Sequence, residues 1–353
     1  MAEPSTPAGF RPSRGFRREF RDAVTPRASI LMLGVLILEL AFVVSYIGAF
    51  HSPKPSRIPL AVVAPAQPQA RAAVVGKLNG LPGRPLSARP ADSLSQARGM
   101  VLDRSVQAAL VVGPARGPDR LLVASAGGPA GVQSLQSVFH KVNGPGRALT
   151  VVDLRPPNPA DGRGLSSFYL VVGVIVGGYL ASAALAMSYG ARPANPHRTA
   201  IRLGALAVLS VLSGLGGAIV ADSVFGALTG HFWSLWWIAA LITFATAAAG
   251  MAFQVLLGSA GIAVSVLIFV VLGNPSAGGV YPASLLPPFW RDLGPALPNG
   301  AGVTLVRNYS YFGGHDTATA WWVLSAWAVG GVLVGFAASL LGKRRAARAD
   351  GTT

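Results

Sequence analysis

The chain has 353 residues, of which 52% are hydrophobic and 12% charged, with a formal net charge of +16 and a mean hydropathy of +0.50. Ordinary globular domains carry about 25% charged residues, so this balance excludes a purely soluble protein and directs the reading to apolar blocks long enough to cross a membrane. There is no cysteine, which excludes disulfides, thiolate metal sites and a cysteine nucleophile.

Six arginines, Arg11, Arg14, Arg17, Arg18, Arg21 and Arg27, precede the first apolar block. Within residues 1–29, Phe16, Phe20 and Val24 fall at i, i+4 and i+8 with Arg17, Arg18 and Arg21 between them. That spacing predicts a short amphipathic helix on the inner leaflet, with a disordered basic arm as the alternative.

Ile30–Phe50 reads as transmembrane helix 1. It is too long for the core of a cleaved signal peptide and is expected to stay as an anchor. Glu39 lies about halfway along it and is the one clearly membrane-embedded ionisable residue of the predicted spans. Its alternatives are proton coupling and a protonated acid hydrogen-bonded to a neighbouring helix.

Residues 51–167 are polar enough for a small α/β domain. Strands are expected at Ile58–Ala64, Ala108–Val112, Leu121–Ser125 and Leu149–Leu154, and helices at Gln67–Leu78, Ser93–Asp103 and Pro129–Val142. The turn Gly117-Pro118-Asp119 would pair the second strand with the third. This stretch counts 14 bases against 5 acids, a balance that suits anionic envelope polymers or lipid headgroups, or simply a solvated face.

Further apolar blocks at Phe168–Met187, Leu203–Ala221, Phe232–Gly250, Phe253–Leu272 and Ala320–Leu341 complete six predicted spans, with a turn near Gly250–Ala252. The fold class is therefore an α-helical integral membrane protein with six transmembrane helices and a small α/β extracytoplasmic domain between helices 1 and 2. Residues 168–342 form a five-helix membrane domain and 343–353 a basic tail. The basic flanks, including Lys343, Arg344, Arg345 and Arg348, place both termini in the cytoplasm by the positive-inside rule. All seven tryptophans (233, 236, 237, 290, 321, 322 and 327) fall near the predicted outer ends. The distribution of charge on membrane flanks leaves no reason to invoke a nucleic-acid partner.

The inner loop Tyr189–Arg202 holds Asn195, His197, Arg198 and Arg202 and no acid, and is the candidate contact for a nucleotide-binding subunit. The segment 274–319 is rich in proline and large apolar residues, and predicts short helices at Pro288–Leu293 and Gly302–Tyr311 that dip into the outer leaflet. Small-residue pairs Gly173/Gly177, Ser213/Gly217 and Gly331/Gly335 permit close helix approach within a bundle or between protomers. Asn308-Tyr309-Ser310 matches a glycosylation sequon, but the abundance of Gly, Ala and Arg looks bacterial.

No phosphate-binding loop of ATPases, no esterase elbow and no paired-histidine zinc motif occurs in the sequence. The expectation is a non-enzyme with no catalytic, cofactor-binding or metal-ligating set and no cofactor.

The string Gly273-Asn274-Pro275-Ser276-Ala277-Gly278-Gly279, followed by Tyr281-Pro282 and Leu285-Leu286-Pro287-Pro288-Phe289-Trp290, resembles the segment after the fifth span in ABC-2-type exporter permeases of the YhgE/Pip-like branch. The resemblance implies that Asn274, Pro275, Ser276, Gly278 and Gly279 form that family's turn. It also implies a homodimeric permease subunit in the bacterial plasma membrane, driven by a separate ATPase and exporting small hydrophobic or amphipathic compounds. The alternative is a non-transporting surface protein, a phage receptor or type VII secretion accessory, whose external domain binds a partner.

Overall fold

The computed structural model describes residues 25–64, 67–114, 117–143, 147–191, 193 and 195–350. The expected amphipathic helix around Phe16, Phe20 and Val24 lies outside them. One compact unit ends at Val44 and a second begins at Ser45. Helix α1, Pro26–Phe50, contributes most of its length to the first unit and its last turns to the second. Glu39 is exposed on α1 and makes no side-chain hydrogen bond or ion pair among the described residues.

The α/β domain is a five-stranded sheet of order β2-β1-β3-β4-β5. Strand β1 (Ile58–Val63) is central, parallel to β2 (Leu86–Pro90) on one side and to β3 (Ala108–Val111) on the other. Strand β4 (Asp119–Val123) runs antiparallel to β3, the pairing expected across the Gly117-Pro118-Asp119 turn, and β5 (Leu149–Asp153) is parallel to β4. Period-two alternation sorts the side chains. Leu60, Val62, Leu110 and Leu121 pack with Leu78 of α2 (Pro68–Asn79) and with Leu135 and Phe139 of α4 (Pro129–Asn143). Ala61, Ala109 and Leu122 pack on the opposite face with Ala97 and Val101 of α3 (Leu94–Leu102).

Asp119 closes the β3–β4 hairpin. It is 4% exposed and accepts from Gly113 N at 2.8 Å and from Arg147 Nε and Nη2 at 2.7 and 2.6 Å. This bidentate pair is the buried-charge compensation that a carboxylate needs inside a small domain.

Among the described residues, five helices are long and apolar enough to cross a membrane. They are α1, α5 (Ser166–Tyr189), α6 (Pro196–Ala218, continuing in π-helical form through Val224), α7 (Phe232–Leu257) and α12 (Ala318–Asp350, apolar to Leu341). The fifth apolar block in chain order is shorter. Ala260–Ser276 begins as α8 (Ala260–Val266), passes through a π-helical stretch at Leu267–Leu272 and ends in the single turn α9 (Gly273–Ser276). The block expected to begin at Phe253 therefore begins later, because Phe253 belongs to α7.

The turn expected near Gly250 is absent, and α7 runs unbroken through it. A Cβ at Gly250 would fall within 3 Å of Ser182 Oγ on α5, so this glycine serves close helix packing. The chain reverses instead at Gly258, whose φ of +66° favours glycine.

Helix α7 is the hub of the membrane-type helices. In its most apolar window 72% of residues are buried, against 28–39% in α5, α6 and α12. The Ala and Thr residues interspersed between Ala239 and Ala249 offer a narrow surface, and four neighbours meet it through a glycine. A Cβ would come within 3 Å of α7 backbone atoms at Gly178 (α5), Gly214 (α6), Gly261 (α8) and Gly331 (α12). Among the small-residue pairs in the sequence, Gly177 lies opposite Ser213 and Gly331 of α12 packs against α7, all within one chain.

Replacing Gly214 by Leu forces backbone apart at the α6–α7 contact and is expected to abolish recovery of a monodisperse protein in detergent. Gly216→Ala, where an added Cβ meets nothing within 4 Å, is expected to leave the melting temperature equal or slightly higher. Equal behaviour of the two variants in a size-exclusion thermal melt would contradict this packing account.

Candidate functional site

Residues 273–319 form no simple loop. Pro275 has no N–H for the carbonyl four residues back, Val271, and the hydroxyl of Ser45 donates to that oxygen instead. Asn299, fully buried in α11 (Pro298–Tyr311), donates through Nδ2 to Phe269 O and to Asn274 Oδ1, both at 2.8 Å. The Asn274 side chain is also hydrogen-bonded to the Tyr46 hydroxyl. Ser276 Oγ donates to Leu272 O at 2.8 Å.

Gly278, at φ +72°, turns the chain away, and Arg307 of α11 reaches back to it. Arg307 Nη1 donates to Gly278 O at 3.0 Å and Nη2 to Gly279 O at 3.2 Å. The residues of the family-like string, Asn274, Pro275, Ser276, Gly278 and Gly279, are thus gathered against α11.

Helix α10 (Pro288–Leu293) keeps the expected limits and leaves Phe289 exposed. Helix α11 starts four residues earlier than expected and is enclosed by protein, packing against α5, α7 and α12. Its burial removes Asn308 as a glycosylation acceptor: the side chain is 2% exposed and donates to His315 O at 2.8 Å.

The α/β domain is seated on this proline-rich segment. Ser56 N donates to Ser284 O at 2.9 Å, and Ser284 Oγ donates to Gln107 Oε1 at 3.0 Å. Leu285 enters the core on one face of the sheet and Phe312 the core on the other.

Between domain and helices lies a polar cavity of about 280 Å³, walled by Arg104, Gln107, Gly127, Ser276, Arg307 and Asp316 among others. Arg104 follows α3 at φ +68°, and its guanidinium lies 4.6 Å over the Phe312 ring. Its Nε has no hydrogen-bond partner, nor has Nε of Arg307, which is only 5% exposed. Asp316 makes no ion pair with Arg104, and Asp161 makes none with Arg307.

Asp161 is occupied elsewhere. Its Oδ1 accepts from Ser166 N and Oγ at 2.9 and 2.7 Å at the start of α5, and its Oδ2 accepts from the Tyr311 hydroxyl at 2.9 Å. Burial, helped by that bond to Asp161, pushes the Tyr311 phenol up. Burial pulls Arg104 below the ordinary arginine range, with Asp316 offsetting part of the effect. Burial and then repulsion from Arg104 pull Arg307 down to about 10.

The inner-loop candidates divide in two. Asn195 caps α6, accepting from Arg198 N at 2.9 Å, and Arg202 donates to Gly190 O and Tyr189 O, both at 2.9 Å, closing the end of α5. His197 and Arg198 are exposed. Among the described residues no group of three or more His, Asp or Glu is placed to hold a metal ion.

Arg104 and Arg307 were not singled out by sequence reasoning. An arginine in an apolar helix is a readable signal, and Arg307 follows Val303, Leu305 and Val306; Arg104 reaches the cavity only through the tertiary fold.

Comparison of the chain with protein-family models, with curated proteins and with solved structures found no match.

Asn299→Ala leaves Phe269 O and the Asn274 amide without their buried donor, at about 1–3 kcal/mol for each group. The expected result is a marked fall in the melting temperature in detergent. An unchanged value would contradict the role given to Asn299.

Proposed function

We propose that this chain is a multi-pass protein of the bacterial plasma membrane that serves as the permease-like subunit of an ABC-2-type exporter. In this reading Ala260–Ser276 is the fifth of six crossings, both termini are cytoplasmic, and the α/β domain stands outside. Two copies work together, driven by a separate nucleotide-binding protein, and export small hydrophobic or amphipathic compounds.

The observation that carries the reading is a cleft between α5 and α6. It has a volume of about 670 Å³ and is lined mainly by apolar or small residues, including Leu170, Gly173, Val174, Val220 and Phe225. Ser166 and Tyr169 stand at the α5 start of the same cleft, so a compound with one polar end finds both environments there. Gly173 has nothing within 4 Å of an added Cβ, and this absence of a side chain keeps the cleft open.

His197 and Arg198 supply an exposed basic contact for the driving subunit. The competing reading, a surface protein that binds a partner without transport, draws on the basic balance of the α/β domain, 14 bases against 5 acids in residues 51–167.

Topology is tested first, since the cysteine-free chain gives no background. His140→Cys, exposed on α4, should react with an impermeant maleimide in intact cells, and His197→Cys only after permeabilisation. External reaction at His197→Cys would contradict the six-crossing arrangement.

Gly173→Leu fills the cleft and is expected to reduce export of amphipathic dyes at least about tenfold at unchanged protein level. A crosslinker at His197→Cys should capture a nucleotide-binding protein in native membranes, and Arg198→Glu should weaken that capture. Normal export with Gly173→Leu, and no captured subunit, would favour the surface-binding reading.

A further inference from the structure

We propose that the cavity between Arg104 and Arg307 binds a phosphate group, either as free inorganic phosphate or as the headgroup of an anionic phospholipid. The site is independent of the export reading, since it shares no lining residue with the α5–α6 cleft.

Two cations line one cavity of about 280 Å³, and the single acid on its wall is Asp316. Asp316 is exposed and makes no ion pair with either arginine. Asp161, the next acid near Arg307, already accepts three hydrogen bonds from Ser166 and Tyr311. The two guanidinium groups repel each other. A pair of this kind, compensated only in part by Asp316 and Asp161, is costly inside a protein and gains from an anion that joins it.

Donors remain for that anion. The Arg104 side chain lines the cavity and makes no hydrogen bond to any described residue, which leaves its Nη groups as donors, while Nε of Arg104 and Nε of Arg307 are buried without a hydrogen-bond partner. A third feature adds to them. Helix α11 has no side-chain cap at its start, and Gly300 and Ala301 of its first turn line the same cavity. Two guanidinium groups and the positive end of a 14-residue helix meet the needs of a tetrahedral oxyanion with several acceptor oxygens.

Glycine keeps the space clear. A Cβ at Gly127 would strike the Arg104 guanidinium, and one at Gly294 would strike Ser276 O. Either change would push a wall of the cavity inward.

The test uses the full-length protein in nanodiscs. Titration calorimetry with inorganic phosphate in neutral phosphatidylcholine discs gives one arm. Native mass spectrometry of protein taken from discs of mixed phosphatidylglycerol and phosphatidylcholine gives the other. Saturable phosphate binding assigns the site to the free ion, and selective retention of phosphatidylglycerol assigns it to the headgroup.

In either arm Arg104→Gln is expected to weaken binding about tenfold or more, the loss of a charge-assisted contact. Because the Arg104 side chain makes no hydrogen bond to the described residues and this variant loses only its contact with the Phe312 ring, it should still fold and melt cooperatively. Arg307→Gln should weaken binding at least as much. Absence of both phosphate binding and phosphatidylglycerol retention would overturn the proposal, as would binding that both variants leave unchanged.

Discussion

Backbone groups left unpaired where a helix breaks among apolar neighbours set the main constraint on this structure. Water cannot satisfy them there, so the protein has to. Pro275 removes one donor from the end of the fifth apolar block, and Ser45 supplies a hydroxyl to the orphaned Val271 carbonyl. Asn299 covers Phe269 O, and Arg307 covers the carbonyls of Gly278 and Gly279. Side chains from two other helices thus complete what the broken helix cannot, and in doing so fix α1, the break and α11 to one another within the second unit.

The same device explains why a strongly basic side chain is buried. Arg307 holds two carbonyls with its Nη atoms, while its Nε is buried without a hydrogen-bond partner. Hydrogen bonding offsets part of the cost of desolvating the cation, and the remaining charge faces a polar space shared with Arg104. Packing around α7 provides the rigid frame. The glycines at Gly178, Gly214, Gly261 and Gly331 bring four neighbours to backbone distance of one helix, which leaves α11 enclosed and the α/β domain seated over it through Leu285 and Phe312.

Long apolar blocks and period-two strands were legible in the sequence because both are local patterns that burial enforces directly. Strand β2 escaped notice: of its five residues only Leu86 and Ala88 are buried, and it ends in Pro90 at the sheet edge. The misplaced turn has a different cause. Gly250 and Gly258 look alike in sequence, yet one is demanded by a neighbouring serine and the other by a positive φ. Among residues 189–202, composition marked Asn195, His197, Arg198 and Arg202 as a contact surface, and local hydrogen bonds also give Asn195 and Arg202 a place at the helix ends that the sequence did not show. The cavity was hidden for the same reason, since Arg104 and Arg307 are separated by about 200 positions and meet only after the domain docks.

Hydrogen exchange of the full-length protein in lipid nanodiscs tests this organisation most directly. If side chains complete the broken helix and α11 is locked inside the protein, amides from Gly300 to Asn308 should exchange as slowly as those in the middle of α7. Exchange of that segment within seconds, at the rate of an exposed loop, would contradict the account.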